Sequence, residues 1–184
     1  MLNHVYINFD GWFHAVSLYK KMVEAAPDEG AHFIEVGSWQ GQSTAYMAVE
    51  IANSGKAIRF DAVDHFNGDP ETADSMPRGK TLLEVFIDNL HRHGLFKYVR
   101  PIVAESTRAA LLYDDCSLDF VYLDASHDYE SVKADIMAWW PKIKVGGVLA
   151  GDDFSEYHKG LRRAVKEFGV EYAIDGVNWI VRKK

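Results

Sequence analysis

The chain has 184 residues, 48% hydrophobic and 26% charged, which suits one domain with a sizeable core and excludes a disordered or low-complexity chain. A formal net charge of −7 argues against a binder of nucleic-acid backbones. No apolar run could span a bilayer, Asn3, His4, Asn8 and Asp10 interrupt any N-terminal signal, and the lone Cys116 permits no internal disulfide, so a cytoplasmic protein without membrane contact is expected.

Phe13, Val16 and Val23 recur at helical spacing and predict a leading helix over 11–26, stopped at Pro27. A buried-type strand over 31–36 then runs into Gly37-Ser38-Trp39-Gln40-Gly41. The two glycines permit a tight turn and close approach of a ligand, and Ser43 or Thr44 is placed to cap the next helix. Ala45, Ala48, Val49 and Ala52 are that helix's packing positions, and Asn53-Ser54-Gly55 ends it. A second strand over 57–63 reaches Asp64. The stretch from His65 to Lys80, rich in Pro, Gly and acids, reads as a long loop of the kind that often forms a lid.

Leu82, Val85, Phe86 and Leu90 predict a helix closed by Gly94, followed by a third strand over 99–103. Pro101 cannot donate to a ladder, which places that strand at a sheet edge. A short helix over 107–112 precedes a fourth strand over 118–123, ending at Asp124. Tyr129, Val132, Ile136 and Trp139 pattern the next helix up to Pro141, and Gly146-Gly147 turn into a fifth strand over 148–151 before Asp152-Asp153. A helix over 161–168 turns Leu161, Ala164, Val165 and Phe168 inward and Lys159, Arg162, Arg163 and Lys166 to solvent. Residues 172–174 and 179–181 flank Asp175-Gly176-Val177-Asn178 as a hairpin. Alternating strands and helices imply an α/β parallel sheet with right-handed crossovers, ending in an antiparallel pair. We therefore expect a single domain, 1–184, made of a leading segment (1–30) and a core (31–184).

Glu35, Asp64, Asp124, Asp152 and Asp153 all fall at predicted strand C-termini, which form one common rim in a parallel sheet. Carboxylates gathered there repel one another unless a cation or polar ligand balances them. The glycine spacing departs from G-x-G-x-x-G, and Trp39 stands where a pyrophosphate would need close approach, so a nicotinamide dinucleotide is disfavoured. Glu35 suits an amino or sulfonium ligand better.

Glu35-x-Gly37-x-x-x-Gly41-x-Ser43, Asp64, and the run from Asp119 through Asp124-Ala125-Ser126-His127-Asp128-Tyr129 resemble class I S-adenosylmethionine-dependent methyltransferases. With Asp135, Trp139, Gly146-Gly147 and Asp152-Asp153, the chain is similar to methyltransferase family 24, a group of small-molecule O-methyltransferases akin to magnesium-dependent sugar and catechol enzymes. The resemblance implies a Rossmann-like three-layer αβα sandwich whose seven-stranded sheet has the order 3-2-1-4-5-7-6 with an antiparallel last strand. It also implies S-adenosyl-L-methionine as methyl donor, Mg2+ or another divalent cation, and a small-molecule hydroxyl as acceptor. Glu35, Gly37, Ser38, Gly41 and Ser43 would surround the methionine part, with Asp124 beside them. Asp64 would accept from the ribose, and Glu105 and Ser106 would border the adenine, although Ser106 also fits a helix cap.

Asp124, Asp152 and Asp153 would be the metal ligands, with Asp152 alternatively orienting another ligand. Asp124 and His127 would be catalytic, His127 as the base, although a cap or structural bond at the helix start also fits His127. Ala125-Ser126 replaces the Gly-Asp common between the acid and histidine positions, removing a carboxylate. Two other readings stay open, a non-catalytic module of the same fold and a metal-dependent hydrolase. The sequence also leaves homo-oligomerisation open.

Overall fold

The computed structural model describes residues 1–68 and 73–184. Its strands are β1 (Glu29–Val36), β2 (Ala57–Asp64), β3 (Arg100–Val103), β4 (Leu118–Leu123), β5 (Ile143–Gly151), β6 (Ala173–Asp175) and β7 (Asn178–Arg182). They form one seven-stranded sheet in the order β3-β2-β1-β4-β5-β7-β6, as the resemblance implied. The pairings among β1 to β5 are parallel, and β7 lies antiparallel between β5 and β6. Pro101 is in the edge strand β3, where its missing N–H breaks no ladder on the outer side.

The helices are α1 (Val16–Ala25), α2 (Gln42–Ser54), α3 (Leu82–Arg92), α4 (Ser106–Ala109), α5 (Tyr129–Trp139) and α6 (Lys159–Glu167). Alternation along the central strands divides the core in two. Phe33, Phe60, Phe120 and Tyr122 pack on one face with α1, α2 and α3. Ile34, Val63, Val121 and Leu149 pack on the other with α5 and α6. Phe33 and Phe120 are fully buried with centroids 5.5 Å apart, so truncating either to Ala should cost about 3–5 kcal/mol. No helix among the described residues is long and apolar enough to cross a membrane.

Several local expectations change. The leading helix begins at Val16, because residues before it are drawn across the sheet's end: Gln42 Nε2 donates to the Phe9 carbonyl (2.9 Å) and Asn178 Nδ2 to that of His14 (3.3 Å). Its buried stripe is Leu18, Tyr19 and Val23, continued by the N-cap Ala15, and Val16 is exposed. Neither Ser43 nor Thr44 caps α2, whose N-cap is Gly41 at φ +91°. β5 starts at Ile143 and carries Gly146-Gly147 in an irregular stretch opposite Asp119, where a Cβ on Gly147 would come within 3.0 Å of the Asp119 carbonyl. Ser106 is not a cap; it opens α4 and accepts from Trp139 Nε1 at 3.0 Å. Asp128, not His127, caps α5 by accepting from the amides of Glu130 and Ser131. The long loop contains a 3-10 turn at Ala73–Ser75, and its residues 69–72 lie outside the described residues.

A buried ion cluster ties the edge of the sheet together. Asp61, inaccessible to solvent, accepts from Arg100 Nε (2.8 Å) and Nη2 (2.5 Å), from Tyr113 OH (2.9 Å), and shares a hydrogen bond with His32 Nε2 (2.8 Å). Burial pushes its pKa up, but His32, Arg100 and Tyr113 more than offset that and hold it down at about 2.

Candidate functional site

Strands β1, β2, β4 and β5 end side by side, and the chain turns sharply after each. Gly37, at φ +88°, follows β1; a Cβ there would lie 1.8 Å from the Asp124 carbonyl oxygen, so only glycine lets the two turns meet. Asp64 fastens this turn. Its Oδ2 accepts from the amides of Ser38 and Trp39, both at 2.9 Å, and its Oδ1 from that of Phe66 at 2.7 Å. Trp39 and Asp153 hold positive φ, 48° and 59°, and both line the opening above the strand ends.

That opening is a cavity of about 500 Å³, within the range of small-molecule sites. Its wall includes Gly37, Ser38, Ser43 and Asp64, Glu105 and Ser106, and Asp124, His127, Asp152 and Asp153. The expected site residues outside the wall are Glu35 and Gly41. Glu35 is buried behind the glycine turn, where Tyr19 OH donates to Oε2 (2.9 Å) and Thr44 Oγ1 to Oε1. Burial raises its pKa and these hydroxyls oppose the rise. Gly41 has its would-be Cβ 3.1 Å from the Phe86 ring, so it serves the turn and the packing of α3. Ser38 Oγ is buried in the wall with no hydrogen-bond partner among the described residues, a donor left for a ligand.

Asp124, Asp152, Asp153 and His127 form one interacting group in this wall. Asp124 is pushed well above the usual carboxylate range by burial, then by Asp152, Asp153 and Glu35, with His127 opposing. Asp152 is raised by burial against a bond from the Asp153 amide (2.8 Å) and a contact of its Oδ2 with His14 Nδ1 (3.1 Å). Asp153 is held down first by His127, whose Nε2 lies 2.9 Å from its Oδ2; His158 Nε2 is 3.8 Å from its Oδ1. Asp135, buried in the wall, is raised by burial to about 6. No Lys or Arg stands among the described residues of this wall.

Two groups could hold a divalent cation, His14 with Asp152 and Asp153, and His127 with Asp153 and His158; within each, one donor atom per residue lies within 4.8 Å of the others. Asp124 belongs to neither group. The imidazole and carboxylate donors fit a divalent ion chemically. Sequence reasoning missed His14 and the cavity position of Asp135, because their juxtaposition with the rim depends on how distant segments pack and leaves no short-range pattern. Among the aromatics near the strand ends, Trp39 lines the cavity, with Trp12 beside it at 6.2 Å. Phe66 packs on Phe86, Phe154 lies under Arg162, and Tyr157 is exposed.

Sheet order, crossovers and a cavity over the strand ends define a Rossmann-like methyltransferase fold. The chain belongs to the methyltransferase domain family, whose model matches residues 34–154. Among solved structures it is similar to a protein from Corynebacterium glutamicum, at 14% identity and TM-score 0.70 over 96% of this chain and 84% of that one. It is also similar to the O-methyltransferase NovP, at 18% identity and TM-score 0.67 over 92% and 79%. A third is CalS11, a TDP-rhamnose 3'-O-methyltransferase of calicheamicin biosynthesis, at 15% and 0.62 over 91% and 76%. No curated protein sequence matches the chain.

Proposed function

We propose that this protein transfers a methyl group from S-adenosylmethionine to a hydroxyl of a small molecule, with a divalent cation at the acceptor end of the cavity. The observation that carries this reading is the cavity wall itself, which bears Asp64, Glu105, Asp124, Asp135, Asp152 and Asp153 and no Lys or Arg among the described residues. Such a wall favours a ligand bearing positive charge and repels phosphates. NovP and CalS11, both O-methyltransferases by name, share the fold and support the choice of oxygen as acceptor.

In this reading Asp64, already accepting from the Ser38, Trp39 and Phe66 amides, keeps one acceptor site, on Oδ1, for a ribose hydroxyl. Gly37, Ser38 and Ser43 border the methionine portion, Ser38 through its unpartnered hydroxyl, and Glu105 and Ser106 face the adenine. Glu35 acts from behind, fixing Thr44 and Tyr19 under the turn. Asp152 and Asp153, with Asp124 adjacent, would hold the cation. When bound, the donor supplies an electrophilic methyl and the cation acidifies and orients the acceptor hydroxyl. His127 takes the hydroxyl proton, and Asp153, 2.9 Å from its Nε2, orients the ring and stabilises its charged form. The acceptor, a sugar, phenol or similar molecule, enters beside Trp12 and Trp39.

The test is transfer of labelled methyl from S-adenosylmethionine to a panel of phenols and sugars, with and without chelator. Cation-dependent transfer to oxygen is expected. Donor binding with no transfer to any acceptor would leave a cofactor-binding module, and full activity in excess chelator would remove the cation from the mechanism.

A further inference from the structure

The leading segment brings a histidine to the acid end of the cavity from outside the sheet. His14 precedes α1, and its backbone carbonyl accepts from Asn178 Nδ2, while five residues earlier Gln42 Nε2 holds the Phe9 carbonyl. Between these two fastenings Gly11 and Trp12 form part of the cavity wall. His14 Nδ1 then lies 3.1 Å from Asp152 Oδ2, and it groups with Asp152 and Asp153 as three donors within 4.8 Å. Adjacent ligands in an octahedral shell with bonds of ~2.1 Å stand ~3 Å apart, so this spacing is that of two neighbouring donors.

We infer that His14, Asp152 and Asp153 form a mixed imidazole and carboxylate site for a first-row transition-metal ion, and that the bound ion latches the leading segment over the cavity. The inference rests on the reading of this cavity as a methyl-transfer site only in taking the cation to be the one proposed there. A nitrogen donor changes the ion selected. An all-oxygen shell suits Mg2+, whereas imidazole favours ions such as Co2+ or Zn2+ over Mg2+. Asp124 is in neither donor group. Because His14 is half-exposed on a segment outside the sheet, its ligation couples metal occupancy to the position of Trp12.

The experiment is calorimetric titration of the full chain with Co2+ alone and Mg2+ alone, on the unaltered protein and on His14→Ala and His14→Gln. Co2+ should bind the unaltered protein more tightly than Mg2+. Both substitutions should weaken Co2+ by about 10-fold or more and Mg2+ far less. Co2+ should also slow hydrogen exchange of residues 1–15 in the unaltered protein and not in His14→Ala. Equal Co2+ affinity in His14→Ala, or affinity restored by the glutamine that can still hydrogen-bond Asp152, would overturn the inference, as would unchanged exchange. S-adenosylhomocysteine binding to the metal-free protein is measured alongside. Its loss would strike the methyl-donor reading and leave the cation site standing.

Discussion

Two sets of buried carboxylates sit on the same sheet and meet opposite fates. Asp61, at the β2–β3 edge, is surrounded by Arg100, His32, Tyr113 and the more distant Arg59, and its charge is stabilised to a pKa of about 2. Asp124 and Asp152, at the strand ends, face other acids, with histidines nearby and no Lys or Arg among the described residues of the wall, and their pKa values rise. A balanced buried charge serves the fold. An unbalanced one, set in a cavity wall, marks where the fold gives up stability for a ligand.

The largest effect should come from breaking the balanced set. Asp61→Asn leaves Arg100 and His32 without their carboxylate and should cost about 3 kcal/mol in urea unfolding, the low end for buried pairs because Arg100 is half-exposed. A loss below ~1 kcal/mol would mean the cluster is solvated enough to be incidental. Next, His127→Ala removes the group that holds Asp153 down and should lower methyl transfer by about 10²-fold or more with modest change in donor affinity. An unchanged rate would confine His127 to a structural contact.

The two regions should also give opposite pH dependence of stability. Asp61 is lowered in the folded state, so its contribution is complete above its ordinary value of 3.8 and is lost as pH falls to about 2. Asp135 is raised, so its contribution is complete below 3.8 and is lost as pH rises through about 6. Each shift corresponds to on the order of 2–3 kcal/mol. Denaturation midpoints followed across pH in Asp61→Asn and Asp135→Asn should each flatten its own window and leave the other intact. The smallest effect on stability is expected from relieving the rim. Asp124→Asn should abolish transfer yet raise stability by up to ~1 kcal/mol at neutral pH, since it replaces a carboxyl whose charged form burial, Asp152 and Asp153 disfavour with a neutral amide. A clear destabilisation would show Asp124 to be structural.

The rim was legible in the sequence because each acid directly follows an apolar strand, and Pro101 and the terminal hairpin marked the sheet's two ends for equally local reasons. Asp61 was not legible. Its partners at positions 32, 100 and 113 meet it only through strand register and packing, as in the pairing of Asp61 with Arg100. Glu35 was placed correctly at a strand end but assigned to the cavity, whereas the hydroxyls of Tyr19 and Thr44 enclose it from the α1 and α2 side. His14 escaped notice because the helical spacing of Phe13 and Val16 continued the helix through it, and only the bonds to Gln42 and Asn178 pull that segment over the cavity.

The central claim is that the unbalanced rim serves a positively charged methyl donor. Calorimetry of the full chain with S-adenosylmethionine, S-adenosylhomocysteine and a nicotinamide dinucleotide tests it most directly. Both sulfur nucleosides should bind at one site per chain and the dinucleotide should not. Binding of the dinucleotide, with neither sulfur nucleoside detectable, would contradict the account.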